Sequence, residues 1–566
     1  MAVPALARLP GRHLALAAGA GLARGLCEEW RASSPYRWLT SGPRPSGFGM
    51  QPRDFRPADP EAGRRILAGA FRLAGAEMAV GPRGDPWDRP SPSRAFAAAL
   101  HSFGWLPDVL AAGGDGAAEA LRLTLEWRRV FGRWNGFSWA PEIMARRVFN
   151  LACAGVAVAA RASEAETALI ASDLARQARV LLDVRGAEGA AERAAAAAVA
   201  GAALSGRAGE RLRRRALAAL GRALPVTVEP DGGHASRRAD AALELLFDLQ
   251  TLDDALIQRG VAGPETVQRA IDRLASTVRF FTLADGGLAA FHGGSACSAS
   301  YVAAARAQDE LGDRPTPGDR NGYHRLDGRS LQLMADAAPP PQGAWSRSAC
   351  APPLGVELLA GGRRLIGAAA WRGIEGGSTL AMGGRPFGRV LSGFAGRALG
   401  PWLVDADARV DVSRHEAPGA LWLDLSHEGW MRRYGVRHQR RLYLDVEAAE
   451  LRGEDRLTPT ARAQGPDGRH FVPFVLRFHL APGVSALASQ DRRSVLLRAE
   501  GESAGWRLLN DTLDIEIEPS LRIHDGQARP AQQLVLRGQR RADSGARVRW
   551  KLSPAAARVD GAAPAA

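Results

Sequence analysis

Apolar positions recur every three or four residues in the first half of the chain and alternate in the second. Between about Arg94 and Ala284 the helical period dominates. "EAETALIASDLARQARVLLDV" places Leu169, Leu174, Val180 and Leu181 at mixed three- and four-residue spacings, and Ser163-x-x-Glu166 forms a capping box ahead of it. "AAERAAAAAVAGAALSG" is nearly pure alanine, a strong helix former whose small side chain lets neighbouring helices approach. "ADAALELLFDLQTL" sets Leu243, Leu246 and Phe247 on one stripe with Ala242, Leu245 and Leu249 beside them, and Pro264 sits at the first turn of a further helix. Short loops rich in Gly, Pro and Asp separate these segments, which predicts antiparallel helix pairs packed side by side.

After "LGDRPTPGDRNG", residues 311–322, a period of two takes over. "LWLDLS", "RLYLDVE", "FVLRFHL", "TLDIEIE", "QLVLRG" and "RVRWKLS" each carry one apolar and one polar face, as half-buried antiparallel strands do. In "FVLRFHL", Phe474, Leu476, Phe478 and Leu480 share a face and leave Val475, Arg477 and His479 on the other. Such strands, separated by turns, predict a large β-sandwich. A helical half followed by a β half excludes the alternating architectures of P-loop and dinucleotide-binding proteins, and neither glycine-rich motif is present.

A length of 566 residues is too great for one core and predicts two or three domains. The formal charge is +14, carried almost entirely by arginine; Lys551 is the one lysine. A basic surface favours polyanions, whereas a GC-rich genome enriches Arg, Ala, Gly and Pro together without any such partner. No nucleic-acid reading module is recognisable, so nucleic acid is not an expected partner. The four cysteines, Cys27, Cys153, Cys297 and Cys350, are far apart, which argues against a zinc ribbon and a disulfide framework; neither metal nor cofactor is expected. No apolar run is long enough to cross a membrane as a helix. The start "MAVPALARLPGRHLALAAGAGLARGLCEEW" reads either as a weak signal peptide or as an amphipathic helix lying on a surface. The first reading puts the protein in the periplasm or envelope, the second in the cytoplasm.

Several segments in order resemble the heparinase II/III family of polysaccharide lyases, in its divergent alphaproteobacterial form. They include "SPSRAFAAALHSFGWLPD" (91–108), "WAPEIMARRVFN" (139–150), "EPDGGHASR" (229–237), "GYHRLDGRSLQLMADAAPPP" (322–341), "APGALWLDLSHEGW" (417–430) and "YGVRHQRRLYL" (434–444). The resemblance implies an incomplete α/α toroid over residues 51–318 and an antiparallel β-sandwich over 319–558. An N-terminal segment, 1–50, precedes them and a disordered tail, 559–566, follows. It also implies a carbon–oxygen lyase acting by β-elimination, with an acidic polysaccharide held in a basic trough between the halves. A base takes the C5 proton of a uronic acid, and an acid, often a tyrosine, protonates the leaving oxygen.

The family's catalytic residues do not carry over. Asp231-Gly232-Gly233-His234 and Arg237 match, but the tyrosine falls on Ala241. The Asn-His pair falls on Glu188-Gly189-Ala190-Ala191, and the sandwich histidines fall near Cys350 and Gly376-Gly377. A rearranged set would use His234, His292 (after a second Asp-Gly-Gly turn at 285–287) and Tyr301 as acid or base. Substrate contacts would come from Arg237, Arg238, Asn135, Trp139, Arg146, Arg477 and His479, through guanidinium–carboxylate pairing and aromatic packing. The alternative is a catalytically inactive glycan-binding or envelope-assembly protein on the same scaffold.

Overall fold

The computed structural model describes residues 11–309, 318–349, 353–367, 376–460, 471–502, 504–524, 527–541 and 543–555; Cys350 and the C-terminal tail lie outside them. The helical half comprises α1 (Gly11–Ala32), α2 (Ser34–Ser41), α3 (Pro60–Leu67), α4 (Arg94–His101), α5 (Leu106–Ala111), α6 (Gly116–Phe131) and α7 (Pro141–Ala159). It continues with α8 (Glu164–Leu182), α9 (Ala190–Ala203), α10 (Gly206–Thr227), α11 (Ala239–Gln258), α12 (Glu265–Phe281) and α13 (Ala299–Arg306). The capping box at Ser163 and Glu166 is formed in both directions and starts α8.

The alanine run is α9, and it is the hub of the ring, packed against α7, α8, α10 and α11. Its small side chains make this possible: a Cβ on Gly201 would lie 2.5 Å from the backbone nitrogen of Arg213, so α10 comes too close for anything but glycine. α11 differs from a surface helix with one apolar stripe. Leu243, Leu245, Leu246, Phe247, Leu249 and Leu252 are all buried, which makes it a central helix wrapped on every side. α1 belongs to the folded body. Ala17 and Gly21 pack on α14 (Gly393–Leu399) of the β half, and the Arg24 guanidinium donates to the Arg397 carbonyl.

Two antiparallel sheets form the β half. The first runs Val410–Ala417, Ala420–His427, Val436–Asp445, Glu450–Pro459, Ala546–Pro554, Trp506–Asn510, Ser494–Ala499 and Val484–Ala488 in space. The second is built on Phe471–Leu480 and Gln527–Arg541, with the strands of residues 319–367 beyond. Leu423, Leu442, Leu476, Leu536 and Trp550 fill the space between them. Trp550 lies flat over Gly453, where a Cβ would sit 2.0 Å from the indole.

Inside this core a polar chain crosses three strands. The Gly429 N–H donates to His427 Nδ1, so the His427 proton is on Nε2 and points at His438 Nδ1, 3.1 Å away. His438 Nε2 then donates to Asp455 at 2.8 Å, and Asp455 also accepts from Arg440 and Trp550. Burial pushes both imidazoles below their usual pKa, His427 far below.

The second sheet turns its other face to the toroid, and Tyr323, Met334 and Leu359 join the toroid core. Arg477 and His479 are therefore buried rather than solvent-facing, on a face that also holds the ion pairs of Glu357 with Arg522 and Arg364.

Candidate functional site at the toroid mouth

α10 and α12 end in the same device. In the turn 229–233, Glu229 N donates to Gly233 O, Gly232 N to Glu229 O, and Gly233 N to the Asp231 carboxylate. In the turn 283–287, Leu283, Gly286, Gly287 and Asp285 repeat these bonds one by one. Gly232 and Gly286 take φ of +93° and +79°, the left-handed region open to glycine. Each aspartate also receives the sandwich. Asp231 accepts from the Asn321 N–H at 2.5 Å, and Asp285 accepts from Arg364 at 3.1 Å. The two turns are thus the seats on which the β half rests.

Arg237, just past the first seat, spends every donor on the sandwich. Nε bonds the Asn321 carbonyl, Nη1 the carbonyls of Ala338 and Pro339, and Nη2 the Gly322 carbonyl and the Asp336 carboxylate, the last at 2.6 Å. His292 approaches the same carboxylate at 3.2 Å, and Tyr323 donates its hydroxyl to the Arg237 carbonyl. Burial alone would raise the Asp336 carboxyl; Arg237 and His292 outweigh it and hold the group below the usual range.

His234 is 3% exposed. Its Nδ1 accepts from the Ser236 N–H at 3.2 Å and lies 2.7 Å from the Ser236 hydroxyl, so Nε2 carries the proton and faces Glu192 of α9 at 3.2 Å. That leaves no lone pair on the ring directed at a substrate, and Trp345 of the sandwich packs edge-on against it at 5.6 Å. Two residues on, Arg347 pairs with Glu188 at 2.7 Å, at the stretch where the family's Asn-His pair would fall. The sandwich turn Gly343–Arg347 therefore sits in the mouth of the toroid.

Deeper in, Tyr301 donates to Glu244 at 2.6 Å; burial and the Glu244 charge push its phenol well above the usual value. Glu244 and Asp248, one turn apart on α11, also accept from Arg56 at 2.9 and 2.7 Å, and Arg146 pairs with Asp248. Arg238 pairs with Asp240 at 2.6 Å. Asn135 closes a local turn by accepting from Phe137 and Ser138 N–H groups, and Trp139 is buried with its indole bonded to Phe131 O. His479 lies against Ser520, on the face of the second sheet. Thus His234, His292, Arg237, Arg238, Tyr301 and Arg146 gather around the mouth, while Asn135, Trp139, Arg477 and His479 sit in other parts of the fold.

Sequence reasoning missed the carboxylates Glu192, Glu244, Asp248 and Asp336, which take up these cations. A signal existed in "LELLFDLQ": two acids four apart inside an otherwise apolar helix must be paired if buried. No group of three His, Cys, Asp or Glu side chains suited to a metal occurs among the described residues.

A family model described as heparinase II/III-like, C-terminal, matches residues 312–551. FtsZ-localized protein C of Caulobacter vibrioides is 48% identical over 565 residues, covering 97% of each chain. Among solved structures, a heparinase III superposes with a TM-score of 0.70 at 14% identity, over 89% of this chain and 86% of that one. A heparan sulfate lyase from Pedobacter heparinus does so with a TM-score of 0.53 at 13% identity, over 92% and 87%. The fold is accordingly an α/α toroid followed by an antiparallel β-sandwich.

Proposed function

The chain belongs to the heparinase II/III-like family, and we propose that it is a non-catalytic member that works as an assembly protein with FtsZ at the site of division. The observation that carries this reading is the state of the toroid mouth. An eliminating enzyme needs a base with a free lone pair, an acid whose proton leaves readily, and cations left over for the uronate. Here His234 is bonded on both nitrogens, Tyr301 is held protonated beside Glu244, and Arg56, Arg146, Arg237, Arg238 and Arg347 each face a protein carboxylate. Ala241 stands where the family's tyrosine would be and donates its own N–H to Asp240. An acidic polysaccharide would have to displace these carboxylates to bind.

The division-site part of the reading is supported by the 48% identity to FtsZ-localized protein C along the whole chain. A surface role is further supported by the apolar side chains that α1 and α2 leave exposed: Leu16 (57%), Leu22 (68%), Leu26 (64%), Trp30 (48%), Trp38 (75%) and Leu39 (59%). Leu22, Leu26 and Trp30 follow at four-residue spacing along one side of α1, away from Ala17 and Gly21, which face α14. Such an unpartnered apolar stripe suits the interfacial zone of a membrane.

The test is co-sedimentation of the purified full chain with FtsZ polymers, together with imaging of a fluorescent fusion in dividing cells. Pelleting with polymer and a midcell band coincident with FtsZ are expected. A protein that stays in the supernatant and is spread evenly through the cell would overturn the division-site reading.

A further inference from the structure

A second arginine-rich region lies beside α2, and its chemistry is the reverse. A concavity of about 130 Å³ opens where α2 meets the α6–α7 connection and α8. Four guanidiniums line it, those of Arg31, Arg37, Arg133 and Arg176, with no carboxylate among the lining side chains. The nearest acids are already engaged: Asp183 pairs with Arg215 at 2.6 Å, and Asp173 is shared between Arg128 and Arg176. Among the described residues Arg31, Arg37 and Arg133 have no ion-pair partner.

The walls are aromatic. Trp134 and Trp139 line one side, and the Arg176 guanidinium lies 4.9 Å from the Trp139 ring centre, which fixes its direction. The buried Arg176 Nε lacks a hydrogen-bond partner, and the hydroxyl of Tyr36, a residue 8% exposed, lies beside Arg31 and Asp183 without a hydrogen bond of normal geometry to either. A buried donor without a partner costs about 1–3 kcal/mol, and like charges gathered in a shallow pocket repel one another. Both costs are removed by one tetrahedral anion. Guanidinium forks match the oxygens of phosphate, and a pocket of this size with a phenol hydroxyl in its wall takes a single group, unlike a long stripe that tracks a polymer.

We propose that this pocket binds a phosphate group, with Arg37 and Arg133 at the rim, Arg31 and Arg176 on the sides and the Tyr36 hydroxyl donating from the wall. The group comes either from a soluble phosphate ester or from a phospholipid headgroup. The neighbouring side chains favour the second source. Trp30 precedes Arg31, and Trp38 and Leu39 follow Arg37, all three exposed, so the apolar and anion-binding features share one surface. The proposal does not depend on a division-site role.

The experiment uses the full chain and two soluble probes, inorganic phosphate and glycerol phosphate, followed by tryptophan fluorescence. Sedimentation with vesicles of phosphatidylcholine, alone or mixed with an equal amount of phosphatidylglycerol, forms the second arm. Saturable phosphate binding is expected, weakened about tenfold or more in the Arg37→Ala/Arg133→Ala double variant, as loss of two charge-assisted contacts requires. Tyr36→Phe, which changes no charge, should weaken it severalfold. The control Arg409→Ala/Arg541→Ala removes two exposed arginines elsewhere and should leave it unchanged. If the soluble probes bind and the double variant also loses preference for the phosphatidylglycerol vesicles, a headgroup is the source. If it loses soluble binding alone, a soluble ester is the source. Phosphate binding that is absent, or equal in wild type and the double variant, overturns the proposal.

Discussion

The two arginine-rich regions of this protein differ in what their arginines face. At the toroid mouth five guanidiniums are matched by carboxylates: Arg237 by Asp336, Arg238 by Asp240, Arg347 by Glu188, and Arg56 and Arg146 by the Glu244–Asp248 pair. In the pocket beside α2, Arg31, Arg37 and Arg133 face one another and two tryptophans. The number of arginines does not distinguish these regions; the inventory of partners does. A matched cation is a structural element and an unmatched one is available to a ligand. In a chain with a formal charge of +14, the difference separates what holds the protein together from what it offers outward.

The largest effect is expected from Arg237→Ala. It leaves Asp336 buried without its main partner and removes five donor contacts to the sandwich, so stability should fall by about 3–5 kcal/mol. Calorimetry should show a lower melting temperature, and separate melting of the two halves would sharpen the contrast further. A variant as stable as wild type would mean that the mouth's ion pairs are ornamental.

Asp248→Ala should cost somewhat less, about 3 kcal/mol, because Arg56 keeps Asp54 and Glu244, and it should shift the mouth toward the pocket's character by leaving Arg146 only the longer contact to Glu244 at 3.6 Å. Anion binding gained at the mouth, read by competition with an acidic oligosaccharide, would confirm that carboxylate matching is what closes it. The Arg37→Ala/Arg133→Ala variant sits at the other end: both side chains are exposed and unpaired, so stability should stay within about 0.5 kcal/mol of wild type. A marked loss would show that these arginines are structural after all.

Acid should act through the sandwich. His427 and His438 have pKa values below those of the unfolded chain, so below about pH 6.5 the unfolded state binds more protons than the folded one. Stability is therefore full above that pH and falls as the solution is acidified. In denaturant titrations His427→Gln should flatten this dependence while lowering stability at neutral pH; an unchanged slope would remove the buried imidazoles from the explanation. Tyr301→Phe should cost about 1 kcal/mol, the value of one hydrogen bond, less than either mouth ion-pair variant and more than the pocket's double variant.

The α-then-β division, the capping box at Ser163 and the hairpins of the first sheet were legible because each depends on local periodicity or local hydrogen bonds. The doubled Asp-Gly-Gly turn was legible as a repeat, but its role was not. Whether Asp231 faces a cleft or seats a second domain is fixed by Asn321 and Arg320, about ninety residues away. The burial of Arg477 and His479 was hidden for the same reason: alternation marks two faces and does not say that both are covered. Asp248 escaped notice because acids on helices usually face water, and Glu192 and Glu244 because their partners, His234, Arg56 and Tyr301, lie far along the chain. The four pocket arginines come from α1, α2, the α6–α7 connection and α8, and no sequence window brings them together.

Elimination on a uronic-acid polymer leaves an unsaturated sugar that absorbs in the ultraviolet, which makes the state of the mouth directly measurable. The full chain incubated with heparan sulfate and other uronate polymers is expected to release no such product at any protein concentration. Product that accumulates with wild type and vanishes with His234→Ala would contradict the account, because a histidine bonded on both sides to Ser236 and Glu192 would then be serving as the base.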